Sequence, residues 1–174
     1  LMRIKNIKIY FIKKKKYEST HPIPTFYKKG FVFIKLISDD NIEGFGEPSP
    51  YITNPKKLIK IIEKVYFKYF QKKNLNIHYV KKLKKENKNS LLNLLLPAFD
   101  QAIFEIYSKE KNISVSRILN KKPLSNLNFY ASGGMFFDGD NYQKILNEAI
   151  NSKKEGYLGY KYRPLLPKSN LSHQ

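Results

Sequence analysis

Apolar and polar positions alternate from Arg3 to Ile12, with Ile4, Ile7 and Ile9 set among lysines and Tyr10 and Phe11 at the end. Such alternation places every second side chain on one face of an extended chain, so this stretch predicts a strand. Phe31 to Ser38, rich in Phe, Val and Ile, predicts a second strand, and Ile42 to Glu47 a third. Asp39, Asp40 and Asn41 supply turn chemistry between these two, which predicts a hairpin. Lys13 to Lys16 reads as a solvated strand end or loop. Glu18 to Pro24 holds His21 between Thr20 and Pro22 and reads as an irregular loop.

The period changes after Pro48 and Pro50. Pro55 suits the first turn of a helix, and Leu58, Ile61, Ile62, Val65 and Tyr69 then recur at helical spacing, with lysines on the other side. Leu75 to Leu83 predicts a further short helix, and Glu86 to Ser90 a polar break. Leu91 to Lys109 is the most apolar segment. Its stripe of Leu95, Ala98, Phe99, Ala102, Ile103 and Ile106 predicts a core helix. Val115 to Leu119 reads as a short helix and Lys121 to Asn128 as a linker.

Beyond the linker, Asn128 to Ser132 predicts a short strand ending at Gly133 and Gly134, and Asp138, Gly139 and Asp140 a turn, with Asp140 placed to cap the next helix. Tyr142, Ile145, Leu146, Ala149 and Ile150 give that helix an apolar face. Gly156 breaks the chain, and Tyr160 to Arg163 predicts another strand. Strand, helix, strand at this spacing is a βαβ unit with parallel strands. The expected fold class is an α+β domain, a three-stranded antiparallel meander plus helices over residues 1–125. The start of an incomplete (β/α)8-type barrel follows over residues 126–174. One βαβ unit cannot cover its own sheet faces, so this second part needs more chain or a partner. The Leu1-Met2 start and the uncapped end at Gln174 lead to the expectation of a truncated reading frame.

Composition narrows the function classes. The 174 residues are 41% hydrophobic and 14% aromatic, enough for a core, and contain no cysteine. A disulfide framework and a thiolate metal site are therefore excluded. No apolar run approaches the ~20 residues of a membrane-spanning helix, and a soluble, cytoplasmic chain is expected. The net charge of +19 suits a polyanion partner. However, arginine occurs only at Arg3, Arg117 and Arg163, so lysine carries nearly all of it. With Asn and Ile also abundant, the charge reads as an A+T-rich coding bias on a solvated surface. Lysine is also the weaker residue for bidentate phosphate recognition.

The candidate chemistry lies in Glu155 to Pro164. Lys161 and Arg163 are two apart, so in a strand both point the same way. The alternative for the pair is a solvated basic strand end.

Four stretches resemble the mandelate racemase and muconate-lactonizing-enzyme branch of the enolase superfamily. Ile42-Glu43-Gly44-Phe45-Gly46-Glu47 resembles the family's third strand, which ends in Gly-x-Gly-Glu. Ala98 to Ile106 resembles the central helix of its N-terminal capping domain. Phe129-Tyr130-Ala131-Ser132-Gly133-Gly134 resembles the first barrel strand. Gly156 to Arg163 resembles the second, where the family carries Lys-x-Lys. The resemblance covers essentially the whole chain and about the first half of a family member.

It implies an enzyme that removes a proton next to a carboxylate and stabilises the enediolate with Mg²⁺, at the C-terminal mouth of a barrel. It further implies a small carboxylate substrate, such as an acid sugar or 2-hydroxy acid, and a homo-oligomer when complete. By position, the loop from Ser19 to Tyr27 and the turn from Pro48 to Thr53 would close over the substrate, with His21 and Tyr51 as candidate substrate contacts. An exposed loop histidine and a packing tyrosine are the alternatives. Lys161 matches the first lysine of the motif. Arg163 stands where the catalytic lysine is expected. An arginine, protonated to above ~12, is a poor base but suits a substrate carboxylate or enediolate charge. That change favours acid-sugar dehydration over two-base racemisation. The family's Asp and Glu metal ligands come from the third to fifth barrel strands and are absent from this chain, and Asp138 and Asp140 read as turn and cap residues. A non-catalytic basic module that binds nucleic acid is the alternative function, against which the lysines are spread over every helix and loop.

Overall fold

The computed structural model describes residues 2–13, 31–48, 55–87, 89–134 and 142–162, which fall into two compact units, one through Pro123 and one from Leu124 on. In the first unit, β1 (Met2–Ile12), β2 (Phe31–Ser38) and β3 (Glu43–Gly46) are joined antiparallel. Residues 39–41 form a tight hairpin, with Asn41 left-handed at φ 63°, a conformation that Asn tolerates. The strand β4 (Asn74–Leu75) pairs with β1 through Met2 and Leu75, giving the sheet order β3-β2-β1-β4.

This corrects the three-stranded expectation and the short helix expected from Leu75. Leu75 is fully buried on the sheet, and the Asn76 side chain accepts the His78 N–H at 2.8 Å, turning the chain. The helix α2 starts only at Tyr79 and runs to Glu86. The spacing of apolar residues in β1 is also explained. Ile4 and Ile7 are three apart, yet both reach the core side, because the register shifts by one residue between Ile4 and Asn6. One extra residue in a strand restores a common face across an odd spacing.

Two long helices, α1 (Pro55–Tyr69) and α3 (Ser90–Lys111), complete the core, and α4 (Val115–Leu119) follows α3. Asn89 caps α3 by accepting the Leu92 N–H at 3.1 Å, and Asn112 ends it in the left-handed conformation. Ile4, Ile34 and Leu36 from the sheet meet Ile62, Tyr66 and Phe70 and, from α3, Leu95, Phe99, Ala102 and Ile103. Phe70 and Phe99 stack with centroids 4.2 Å apart. In the second unit, β5 (Tyr130–Ser132), α5 (Tyr142–Lys154) and β6 (Gly159–Lys161) form a βαβ unit whose strands pair in parallel. Among the described residues, no helix is long and apolar enough to cross a membrane.

Candidate functional site

Two places carry candidate chemistry, and the structure describes one of their side chains, Lys161. His21, Tyr51 and Arg163 lie outside the described residues, as do Asp138 and Asp140. Lys161 ends β6, opposite Ser132 at the end of β5. The two faces of this small sheet differ. Ala131 and Tyr160 are half-buried and face α5, where the Tyr160 hydroxyl donates to Glu148 Oε2 at 2.5 Å. Alternation therefore sends Tyr130, Ser132 and Lys161 to the opposite, exposed face. There the Lys161 ammonium stands 5.7 Å from the centroid of the Tyr130 ring, within cation–π range.

The strand end is fixed by backbone and side chain together. The Gly133 N–H donates to the Lys161 carbonyl at 3.0 Å. The Gly134 N–H donates to Glu148 Oε2 at 2.9 Å. A Cβ on Gly133 would stand 2.7 Å from that same oxygen and 2.8 Å from the Tyr160 hydroxyl, so a larger residue there would have to displace these side-chain ends. Burial, then the bond to Glu148, pushes the Tyr160 phenol up to about 12.

In the first unit, β3 leads to the segment holding Tyr51. β3 is an edge strand, and α3 covers its free side. The Phe45 N–H donates to Glu105 Oε2 at 2.7 Å, and the Glu47 N–H to Gln101 Oε1 at 3.0 Å. Lys109 Nζ donates to the Glu43 carbonyl at 2.7 Å and pairs with Glu105 at 2.6 Å. Residues 101, 105 and 109 are four apart, so they form one row along a helix face. The row satisfies strand groups that an open edge leaves unpaired. Close approach makes this possible: a Cβ on Gly46 would overlap the Ala98 backbone, and one on Gly44 the Ala102 carbonyl. Across the hairpin, Lys35 and Glu43 pair at 2.8 Å.

Sequence reasoning missed Glu148, Tyr160, Gln101 and Glu105. A signal existed for each. Glu148 is an acid among the sheet-facing positions Ile145, Ala149 and Ser152 of its helix, and Tyr160 alternates with Lys161. Gln101 and Glu105 repeat at i, i+4 beside the Ala98 and Ala102 stripe.

The fold has counterparts among solved structures. A mandelate racemase/muconate lactonizing enzyme from Sulfitobacter sp. matches 94% of this chain with a TM-score of 0.74 at 16% identity. This chain covers 43% of that one. An enolase from the environmental genome shotgun sequencing of the Sargasso Sea matches 95% of the chain with a TM-score of 0.74 at 23% identity, with 44% of its own length covered. The chain has the fold of one part of these enzymes. The fold thus agrees with the resemblance carried by the four sequence stretches. The chain spans about two-fifths of the length of the solved proteins it matches. An enolase from Agrobacterium radiobacter, a galactarate dehydratase candidate with bound Na and L-malate, matches 94% of the chain with a TM-score of 0.67 at 18% identity. It is covered over 38% of its length. No protein-family model and no curated protein matches the chain.

Among the described residues, the Mg²⁺ that the resemblance implies has no fitting donor set. Among the described residues, no three His, Asp or Glu side chains come together. Glu148, the carboxylate bonded at the end of β5, is already engaged by Tyr160 and Gly134. A magnesium site takes about six oxygen ligands, which these residues do not supply.

Proposed function

We propose that this chain is the N-terminal part of a mandelate-racemase-like enzyme that removes a proton α to a carboxylate, of the acid-sugar dehydratase or racemase type. In this reading, residues through Pro123 are the capping domain, and β5-α5-β6 opens a (β/α)8-type barrel. The observation that carries it is the placement of Lys161. It stands at the C-terminal end of a parallel strand, on the face turned away from the covering helix. In a barrel of this type that face looks inward, and strand C-termini form the site.

Lys161 places an ammonium where a substrate carboxylate is bound and where negative charge develops. Arg163, two residues on, adds a guanidinium suited to a carboxylate or an enediolate and unsuited to accepting a proton. A histidine from the remainder of the barrel is then the base. That arrangement supports dehydration over two-base racemisation. His21 and Tyr51 are proposed as contacts from the capping domain. The substrate is a small carboxylate, an acid sugar or 2-hydroxy acid, and a complete enzyme of this kind is a homo-oligomer.

The test is to read the gene on either side of these 174 codons and to express its whole product. The expected product encodes Asp and two Glu at successive strand ends and a histidine-bearing strand. With Mg²⁺ present, it exchanges the α-proton of 2-hydroxy acids or acid sugars for deuterium in D₂O. A product without those strand ends that holds single-stranded nucleic acid near physiological salt overturns the reading in favour of a basic binding module.

A further inference from the structure

We infer that Glu148 is a positioning residue for Lys161, a role that rests on the proposed function of that strand end. Three hydrogen bonds and two peptide bonds close a ring around the last two residues of β6. Tyr160 Oη donates to Glu148 Oε2 at 2.5 Å, and the same oxygen accepts the Gly134 N–H at 2.9 Å. Gly134 is bonded covalently to Gly133, whose N–H holds the Lys161 carbonyl at 3.0 Å. Lys161 then returns to Tyr160 through their peptide bond. One carboxylate oxygen on α5 therefore fixes the residue before Lys161 and the turn that grips Lys161 itself.

The ring has little slack. A Cβ on Gly133 would meet both the carboxylate oxygen and the phenol at under 3 Å. Gly134 is buried and Tyr160 and Glu148 are half-buried, so water replaces their bonds poorly. The burden on one side chain follows from the shortness of the sheet. β5 and β6 are three residues each, so few ladder bonds hold their register, and Glu148 supplies the lateral tie. With the tie in place, Lys161 stays over the Tyr130 ring on the exposed face.

The experiment uses the 174-residue chain with Glu148→Ala and Glu148→Gln, read by NMR and by tyrosinate absorbance. In the parent chain, the Tyr130 ring current displaces the Lys161 Hε resonance from its free-lysine position. In Glu148→Ala that displacement is expected to collapse and Gly133 amide exchange to quicken at least about tenfold, while the Ile34 and Leu36 amides of β2 stay unchanged. Glu148→Gln keeps an oxygen acceptor and is expected to restore the Lys161 resonance, while Tyr160 titrates below the parent's value of about 12. A Lys161 resonance and Gly133 exchange rate in Glu148→Ala that match the parent's overturn the inference. A failure of Glu148→Gln to restore the Lys161 resonance also overturns it. None of these readouts uses turnover, so a failure of the proposed chemistry leaves them unmoved.

Discussion

Replacing Gly46 by alanine tests how β3 is held. The new Cβ would stand 2.7 Å from the Ala98 carbonyl carbon and 2.9 Å from its Cα, and it would overlap the carbonyl oxygen. All three are backbone atoms in the middle of α3, so no side chain can swing aside. Reaching an ordinary carbon–carbon separation of about 3.5–4.0 Å takes a shift of about 1 Å. Overpacking of this kind costs about 1–3 kcal/mol. The same shift stretches the Phe45 N–H bond to Glu105 and the Glu47 N–H bond to Gln101, each worth about 1 kcal/mol. Together Gly46→Ala is expected to cost about 3–5 kcal/mol. At about 4–8 °C per kcal/mol for a unit of this size, the midpoint falls by about 12 °C or more. The assay is urea and thermal unfolding followed through the slowest-exchanging amides of β2. Gly156→Ala is the contrast. Its φ is +90° and its Cβ meets nothing within 4 Å, so strain of about 1–2 kcal/mol is its whole cost. A Gly46→Ala chain within about 0.5 kcal/mol of the parent, the range of ordinary surface changes, refutes the close-approach argument.

Glu105→Ala is expected to cost about 1–2 kcal/mol and to speed exchange of the Phe45 amide while leaving that of Ile34 slow; equal changes at both would show general loosening. Lys35 holds the Glu43 carboxyl below its ordinary value of 4.5, chiefly through their hydrogen bond. A lowered folded value means the pair's contribution is fully present above that pH and lost as the carboxyl protonates below it. Urea midpoints of the parent should therefore fall more steeply in acid than those of Glu43→Gln, and parallel curves would refute the pairing. Tyr160 is raised from 10.0 to about 12, so its contribution is intact below pH 10 and lost as pH rises through 12. Absorbance titration should show one tyrosine absent from Tyr160→Phe that ionises after the bulk, and loss of a bulk tyrosine instead would refute it. Calorimetric titration of the 174-residue chain with Mg²⁺ should give no tight site, and a single tight site would show a donor set outside the described residues.

Much of this protein was legible in one dimension. Strand and helix periods in the first unit depend on neighbouring residues only. The paired core elements, the hairpin at Asp39 to Asn41 and the Leu91 to Lys109 helix therefore emerged at nearly their observed bounds. The resemblance likewise rested on short local stretches, and the fold agrees with it. β4 was hidden because two residues, Asn74 and Leu75, carry no period of their own; pairing with Met2, some seventy positions away, makes them a strand. The register shift in β1 was written in the Ile4-to-Ile7 spacing, but only the partner strand gives that spacing a meaning. Lys161 was found from its alternation with Arg163. Which way it faces was decided by Tyr160 reaching Glu148 across the βαβ unit. Local periodicity fixes which side chains share a face. Only packing between distant segments decides whether that face looks to a helix or away from it, because burial and hydrogen bonding belong to the pair.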